Sequence, residues 1–146
     1  MTAKRIEAVL RPASVAVVGA SATPGSIGDV LCRNLREGGF RGPVFYVNPR
    51  HASIGDEPSY PDVRSLPQAV DVAIIATPPP TLPTVLEHCG ERGVRGAIIV
   101  SAGFREGGEE GAACERAMLQ VARRYGLRLL GPNSFGVIRT DNGFNA

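Results

Sequence analysis

The sequence has no tryptophan, and its aromatic residues come to only 5%. With so few stacking side chains and no basic stripe, it gives little support to a nucleic-acid surface. The net charge of +2 is spread along the chain rather than gathered in blocks. Histidine occurs only at His51 and His88, and cysteine only at Cys32, Cys89 and Cys114. Neither set has paired metal-ligand spacing. An odd cysteine count with no leader points to reduced thiols in a cytoplasmic protein, with all three packed as small apolar residues. No apolar run is long enough to span a membrane, and the stretch Met1-Thr-Ala-Lys-Arg-Ile-Glu7 lacks the apolar core of a signal peptide. There is no Ser/His/Asp set and no carboxylate pair of assignable geometry. The chain by itself is expected to be non-catalytic.

What is present is the composition of an ordinary globular domain, 43% hydrophobic and 21% charged over 146 residues. That length fits a single domain, residues 1–146, which buries roughly 68–70% of its unfolded surface. Apolar runs of strand length alternate with segments of helical period, the pattern of βαβ units. Strands are expected at Ser14–Gly19, Pro43–Val47, Asp71–Ala76, Gly96–Val100 and Arg128–Leu130, with a sixth at Val137–Arg139. Helices are expected at Ile27–Glu37, with Ile27, Val30, Leu31 and Leu35 inward, at Thr81–Arg92, and at Gly111–Tyr125. Residues 48–67 read as irregular, with one helical turn near Leu66. The fold class is therefore α/β: a Rossmann-like, doubly wound, mainly parallel sheet of five to six strands with helices on both faces. The chain ends at Asn145-Ala146 without a capping helix, so it is expected to be the N-terminal part of a longer multidomain protein.

Ligands of such sheets bind beyond the carboxyl ends of the strands, where strand order reverses. The unusual residues lie there. Gly19-Ala20-Ser21 and Pro24-Gly25-Ser26-Ile27 form a glycine-rich turn before a helix, whose free N–H groups and dipole attract phosphate. Ser26 and Asp29 also fit a capping box, which needs no ligand. No Lys-Ser or Lys-Thr follows the final glycine, so a P-loop is excluded, and the glycines do not match G-x-G-x-x-G. The second strand ends in Asn48-Pro49-Arg50, where an NAD site would carry an acid. Arg50 suits a phosphate on the adenosine ribose, as in coenzyme A or NADP; a solvated surface arginine is the plainer alternative. Thr77-Pro78-Pro79 fits a rigid ligand wall or a stiff start to a helix. Ser101-Ala102-Gly103 and Asn133-Ser134 fit ligand loops or simple turns. His88 lies mid-helix and is a poor catalytic candidate, while His51, beside Arg50, is within reach of a phosphate.

In order, Arg11-Pro12, SVAVVGAS, PGSIG, VNPR, DVAIIATPP, SAGFRE with GEEG, and GPNSFGV resemble the CoA-binding domain of NDP-forming acyl-CoA synthetases, the family that includes the succinyl-CoA synthetase α subunit. The same domain occurs fused to a GNAT module in bacterial protein lysine acetyltransferases. The resemblance implies that CoA or acyl-CoA lies across the loops. Residues 19–21 and 24–27 would face phosphates, and Asn48, Pro49 and Arg50 would flank the adenosine. Thr77, Pro78 and Pro79 would line the adenine and pantetheine side. Ser101, Ala102, Gly103, Asn133 and Ser134 would approach the thiol. It also implies downstream domains as partners, with no nucleic acid or membrane. Ser134 stands where synthetases often carry cysteine. The alternatives are an NADP-binding domain of an oxidoreductase and a vestigial interaction module.

Overall fold

A computed structural model describes residues 2–146. The chain builds a seven-stranded sheet in the order β3-β4-β2-β1-β5-β6-β7. These strands are β1 (Val15–Val18), β2 (Val44–Val47), β3 (Ser53–Ile54), β4 (Glu57–Tyr60), β5 (Val72–Ile75), β6 (Gly96–Ile99) and β7 (Arg128–Leu130). All run parallel except β3, which pairs antiparallel with β4. Every residue of β1, β5 and β6 is buried. Their continuous Val, Ile and Ala character is what a strand covered on both faces requires.

Helices α1 (Thr2–Leu10), α2 (Ile27–Glu37), α3 (Leu82–Glu91) and α4 (Glu109–Tyr125) supply that cover. Alternate residues of the strands serve the two layers. Val18, Ala73, Ile75 and Ile99 pack with Leu82, Leu86 and Cys89 of α3 and Met118 of α4. Val17, Val72, Ile74 and Ile98 pack with Val9 of α1 and Leu31, Cys32 and Leu35 of α2. The sheet is doubly wound, as expected.

Five local readings need correction. The 48–67 stretch is more ordered than expected: Gly55, at φ +61°, turns a short hairpin that adds β3 and β4 to the sheet. Its strands are polar and Pro58 sits in one of them, so periodicity gave no signal. Residues 137–139 do not extend the sheet. Instead β8 (Ile138–Arg139) pairs antiparallel with β9 (Phe144–Asn145), and Arg139 clamps Asp141 in the turn with two bonds of 2.9 and 2.7 Å. Helix α1 was not anticipated; Val9 packs into the space left by the missing side chain of Gly96. Ile27 is not inward but 59% exposed; in the first turn of α2 it is Gly28 that is buried against the exit of β1. Cys32 and Cys89 are buried as expected, while Cys114 is only half-buried.

Candidate functional site at the carboxyl edge

Register brings the strand ends level. Val18 of β1 lies beside Val47 of β2 and Ile75 of β5, and Ile75 beside Ile99 of β6. The loops that follow β2, β1, β5, β6 and β7 therefore leave one edge in that spatial order. They span roughly 19 Å at about 4.8 Å per strand. Of the eighteen residues singled out from the sequence, sixteen lie on these loops, while Ile27 opens α2 and Pro79 opens the 3-10 turn before α3. Strand order reverses around β1, whose neighbours are β2 on one side and β5 on the other.

In the first loop, Gly19 turns out of β1 at φ +91°. A Cβ on Gly28 would collide with the Gly19 carbonyl, so the helix start is pressed against the strand exit. The capping alternative is real: Ser26 Oγ accepts the Asp29 N–H at 3.2 Å. Asp29 reaches back to the Gly25 N–H at 3.1 Å rather than to Ser26, so the box is displaced by one residue. Ser21 Oγ accepts the Thr23 N–H at 3.0 Å. These internal bonds leave the N–H groups of Ile27 and Gly28 without acceptors among the described residues. A Cβ at Gly25 would meet nothing within 4 Å, so this glycine serves its positive φ of 78° and not close packing. Pro24 and Ile27 are exposed beside it, whereas Ala20 is wholly buried and presents no side chain.

The Asn48 side chain is used internally. Its Nδ2 donates to the Ala20 carbonyl at 2.9 Å, and its Oδ1 accepts the Arg50 N–H at 2.9 Å. Pro49 and Arg50 are exposed, and the guanidinium of Arg50 has no hydrogen-bond or ion-pair partner among the described residues. Pro78 is extended, but Pro79–Thr81 forms a 3-10 turn into α3, so the proline run is in large part the stiff start of that helix. Ser101 is buried and its hydroxyl donates to the Thr77 carbonyl at 2.6 Å, which binds the loop after β6 to the loop after β5. Ala102 is exposed. The Gly103 N–H donates to the Glu106 carboxylate at 2.6 Å, and that bond holds the Glu106 carboxyl below its ordinary range.

After β7, the Asn133 N–H reaches the Ser101 carbonyl (2.9 Å) and the Ser134 N–H reaches Ile99 (3.0 Å). Ser134 Oγ accepts the Gly136 N–H at 3.0 Å, while the Asn133 side chain is exposed at φ +53°. Asn48 thus ties the β2 loop to the β1 loop, and Ser101 with the Asn133 N–H ties together the loops after β5, β6 and β7. Arg50, Pro49, Pro78, Ile27, Pro24, Ala102 and Asn133 are among the side chains that the edge presents.

An apolar pocket of about 160 Å³ opens on the α3 side of this edge, between the ends of β1, β2 and β5. Val18, Val47, Pro49, Val63 and Val85 wall it, and Gly19, Pro61, Asp62, Thr77, Thr81 and His88 complete the lining. Sequence reasoning missed Asp62 and discounted His88. The signal was the spacing Thr81, Val85, His88, which places all three on one face of a helix that begins at a strand exit.

With five loops on one edge and no side-chain acid at the exit of β2, the comparisons with known proteins are decisive. The profile of the CoA binding domain matches residues 13–140. The chain belongs to the CoA-binding domain family. It is 45% identical over 141 residues to an acetate–CoA ligase (ADP-forming) I of Archaeoglobus fulgidus, covering 97% of this chain and 20% of that protein. It is 44% identical over 145 residues to the α subunit of acetate–CoA ligase (ADP-forming) I of Pyrococcus furiosus, covering 97% of this chain and 31% of the subunit. A dinucleotide-forming acetyl-coenzyme A synthetase 1 from Candidatus Korarchaeum cryptofilum, solved with phosphate and ADP, superposes with a TM-score of 0.89 at 38% identity, over 97% of this chain and 30% of that one. This CoA-binding domain therefore spans between a fifth and a third of the relatives it matches. No helix among the described residues is long and apolar enough to cross a membrane.

Proposed function

We propose that the chain holds CoA or acyl-CoA for an ADP-forming acyl-CoA synthetase, with the ligand stretched along the carboxyl edge from Arg50 to Asn133. The carrying observation is the unpartnered Arg50 guanidinium, exposed at the exit of β2 beside the strand-order reversal. Its charge suits the ribose 3′-phosphate of CoA, and the free N–H groups of Ile27 and Gly28 suit the diphosphate. The space beyond Gly25, which even a methyl group would enter without contact, leaves room for that diphosphate. From there the edge spans the width of the remaining strands, a distance that an extended pantetheine arm matches. The thiol would then arrive near Ala102 and Asn133. The named relatives are ligases, which favours a synthetase parent over a GNAT-fused acetyltransferase. Calorimetric titration with CoA, 3′-dephospho-CoA and NADPH tests the assignment. CoA should bind tightest, and dephospho-CoA about ten- to a hundredfold more weakly for want of the phosphate contact. Equal affinities for CoA and dephospho-CoA would remove Arg50 from the site, and tighter NADPH would replace the ligand.

A further inference from the structure

Two cavities meet at Gly126, in the turn between α4 and β7. The smaller, about 260 Å³, is floored by Leu119, Ala122, Leu127 and Leu129. The larger, about 380 Å³, runs past Val94 and Tyr125 to Ala8 of α1. Among the described residues, the charged side chains lining them are Arg95, Arg123 and Arg128, with no carboxylate. Arg123 and Arg128 are exposed, and neither guanidinium has a hydrogen-bond or ion-pair partner among the described residues. Arg95 has only a loose contact with Asp71, at 3.8 Å. Glu87, on the neighbouring helix, is already shared by Arg124 at 2.8 Å and Tyr125 at 3.2 Å. No residue lining these cavities belongs to the loops of the carboxyl edge.

The groove lies along an open strand. β7 ends the sheet order and pairs only with β6. Arg128 donates its N–H to the Arg95 carbonyl at 3.0 Å, so alternation in a parallel ladder turns the N–H and carbonyl of Leu129 away from β6. An added strand completes such an edge: its backbone supplies the bonds and its side chains fill the adjoining pockets. The geometry points to this groove as the docking site for an extended acidic segment of a second polypeptide, laid along β7 as an eighth strand of the sheet. Its apolar side chains settle on Leu119, Leu127 and Leu129. Its carboxylates pair with Arg123 and Arg128, whose planar forks match them. A second copy of this chain is the poorer occupant. Two-fold pairing of β7 with itself sets one patch against the same patch. Arginine would then face arginine, with no acid lining the groove to offset the repulsion.

The test adds a short synthetic peptide, glutamate alternating with valine, to the isotope-labelled 146-residue chain. A lysine–valine peptide is the control, and nuclear magnetic resonance reads both the affinity and the exchange of the Leu129 amide. The acidic peptide should bind at least about tenfold tighter than the basic one and protect the Leu129 amide from exchange. Arg123→Glu combined with Arg128→Glu changes two exposed positions and reverses their sign. It should cost the acidic peptide about tenfold or more in affinity and strengthen the basic one. Equal affinities for the two peptides, an unprotected Leu129 amide in the complex, or undiminished acidic-peptide binding by the double variant each overturns the proposal. Absence of binding overturns it too, and leaves the arginines as guards of a solvated edge. A dimer seen by sedimentation without peptide, with the Leu129 amide protected, overturns the acidic partner in favour of a second copy. CoA affinity should be equal in the natural and double-variant chains, so this proposal and the CoA reading stand or fall separately.

Discussion

Asn48 and Ala20 are joined by a 2.9 Å hydrogen bond from the Asn48 amide to the Ala20 carbonyl, across the gap between the exits of β2 and β1. The same side chain accepts the Arg50 N–H, so one residue sets both the glycine-rich turn and the arginine beside it. Asn48→Ala would leave the carbonyl of a buried residue unpaired, at a cost of about 1–3 kcal/mol. For a domain of this size that is a fall in melting temperature of about 2–12 °C. Asn48→Asp should be worse, since a carboxylate would face the carbonyl. Thermal denaturation followed by circular dichroism decides it: an unchanged midpoint in Asn48→Ala would mean that the bond does not hold the loops.

Arg50 has the opposite profile, exposed and with no internal partner among the described residues. Arg50→Ala should leave the melting temperature within a degree or so, because a surface change free of contacts shifts stability by only about 0.5 kcal/mol. CoA affinity should drop about ten- to a hundredfold while 3′-dephospho-CoA affinity stays put. The four titrations form a cycle, and additive losses would show that residue 50 and the 3′-phosphate do not meet.

The same contrast explains how much was legible in the sequence. Parallel strands with both faces covered must be apolar throughout, so β1, β5 and β6 stood out, and the loops at their ends followed by geometry. The β3–β4 hairpin was invisible because a pair of short strands with one proline and only Ile54 and Tyr60 apolar has no period to detect. The division of labour within the site was equally hidden. Asn48, Ser101 and Arg50 are all polar residues at strand exits, and only hydrogen-bond partners show that the first two tie loops together while the third faces solvent. Asp62 belongs to a segment whose path across the end of β2 depends on that hairpin, so nothing local could place it in the pocket.

Gly28 and Gly39 separate packing from backbone freedom. A methyl at Gly28 would run into the Gly19 carbonyl, which is backbone and cannot swing away. Gly28→Ala should cost about 1–3 kcal/mol through overpacking and, by moving the loop, weaken CoA binding as well. Gly39 follows α2 at the other end of the sheet; it has φ +78° and open space around it. Gly39→Ala should cost about 1–2 kcal/mol from the left-handed conformation and leave CoA affinity untouched. Matched stability losses with unmatched affinity losses are the expected result. If both variants bound CoA like the natural chain, the Gly28 contact would be irrelevant to the ligand.

Cys89 offers a pH readout of the α3 layer. Burial against Leu82 and Leu86 pushes its thiol up from 9.0 to about 12, because the apolar layer cannot solvate a thiolate. Below pH 9.0 the thiol is protonated in the folded and unfolded chains alike, so it adds no pH dependence. Between 9.0 and about 12 the unfolded chain ionises first, holds fewer protons, and gains stability relative to the fold. The folded state should therefore lose up to about 1.4 kcal/mol per pH unit from this group across that window. Cys89→Ala removes the ionisation and leaves a fixed packing cost. Urea titrations of both chains from pH 7 to 11 should show a constant gap up to pH 9.0 that then narrows. A gap that stayed constant to pH 11 would mean that the layer opens enough to hydrate the thiolate, and that α3 is not firmly seated on the sheet.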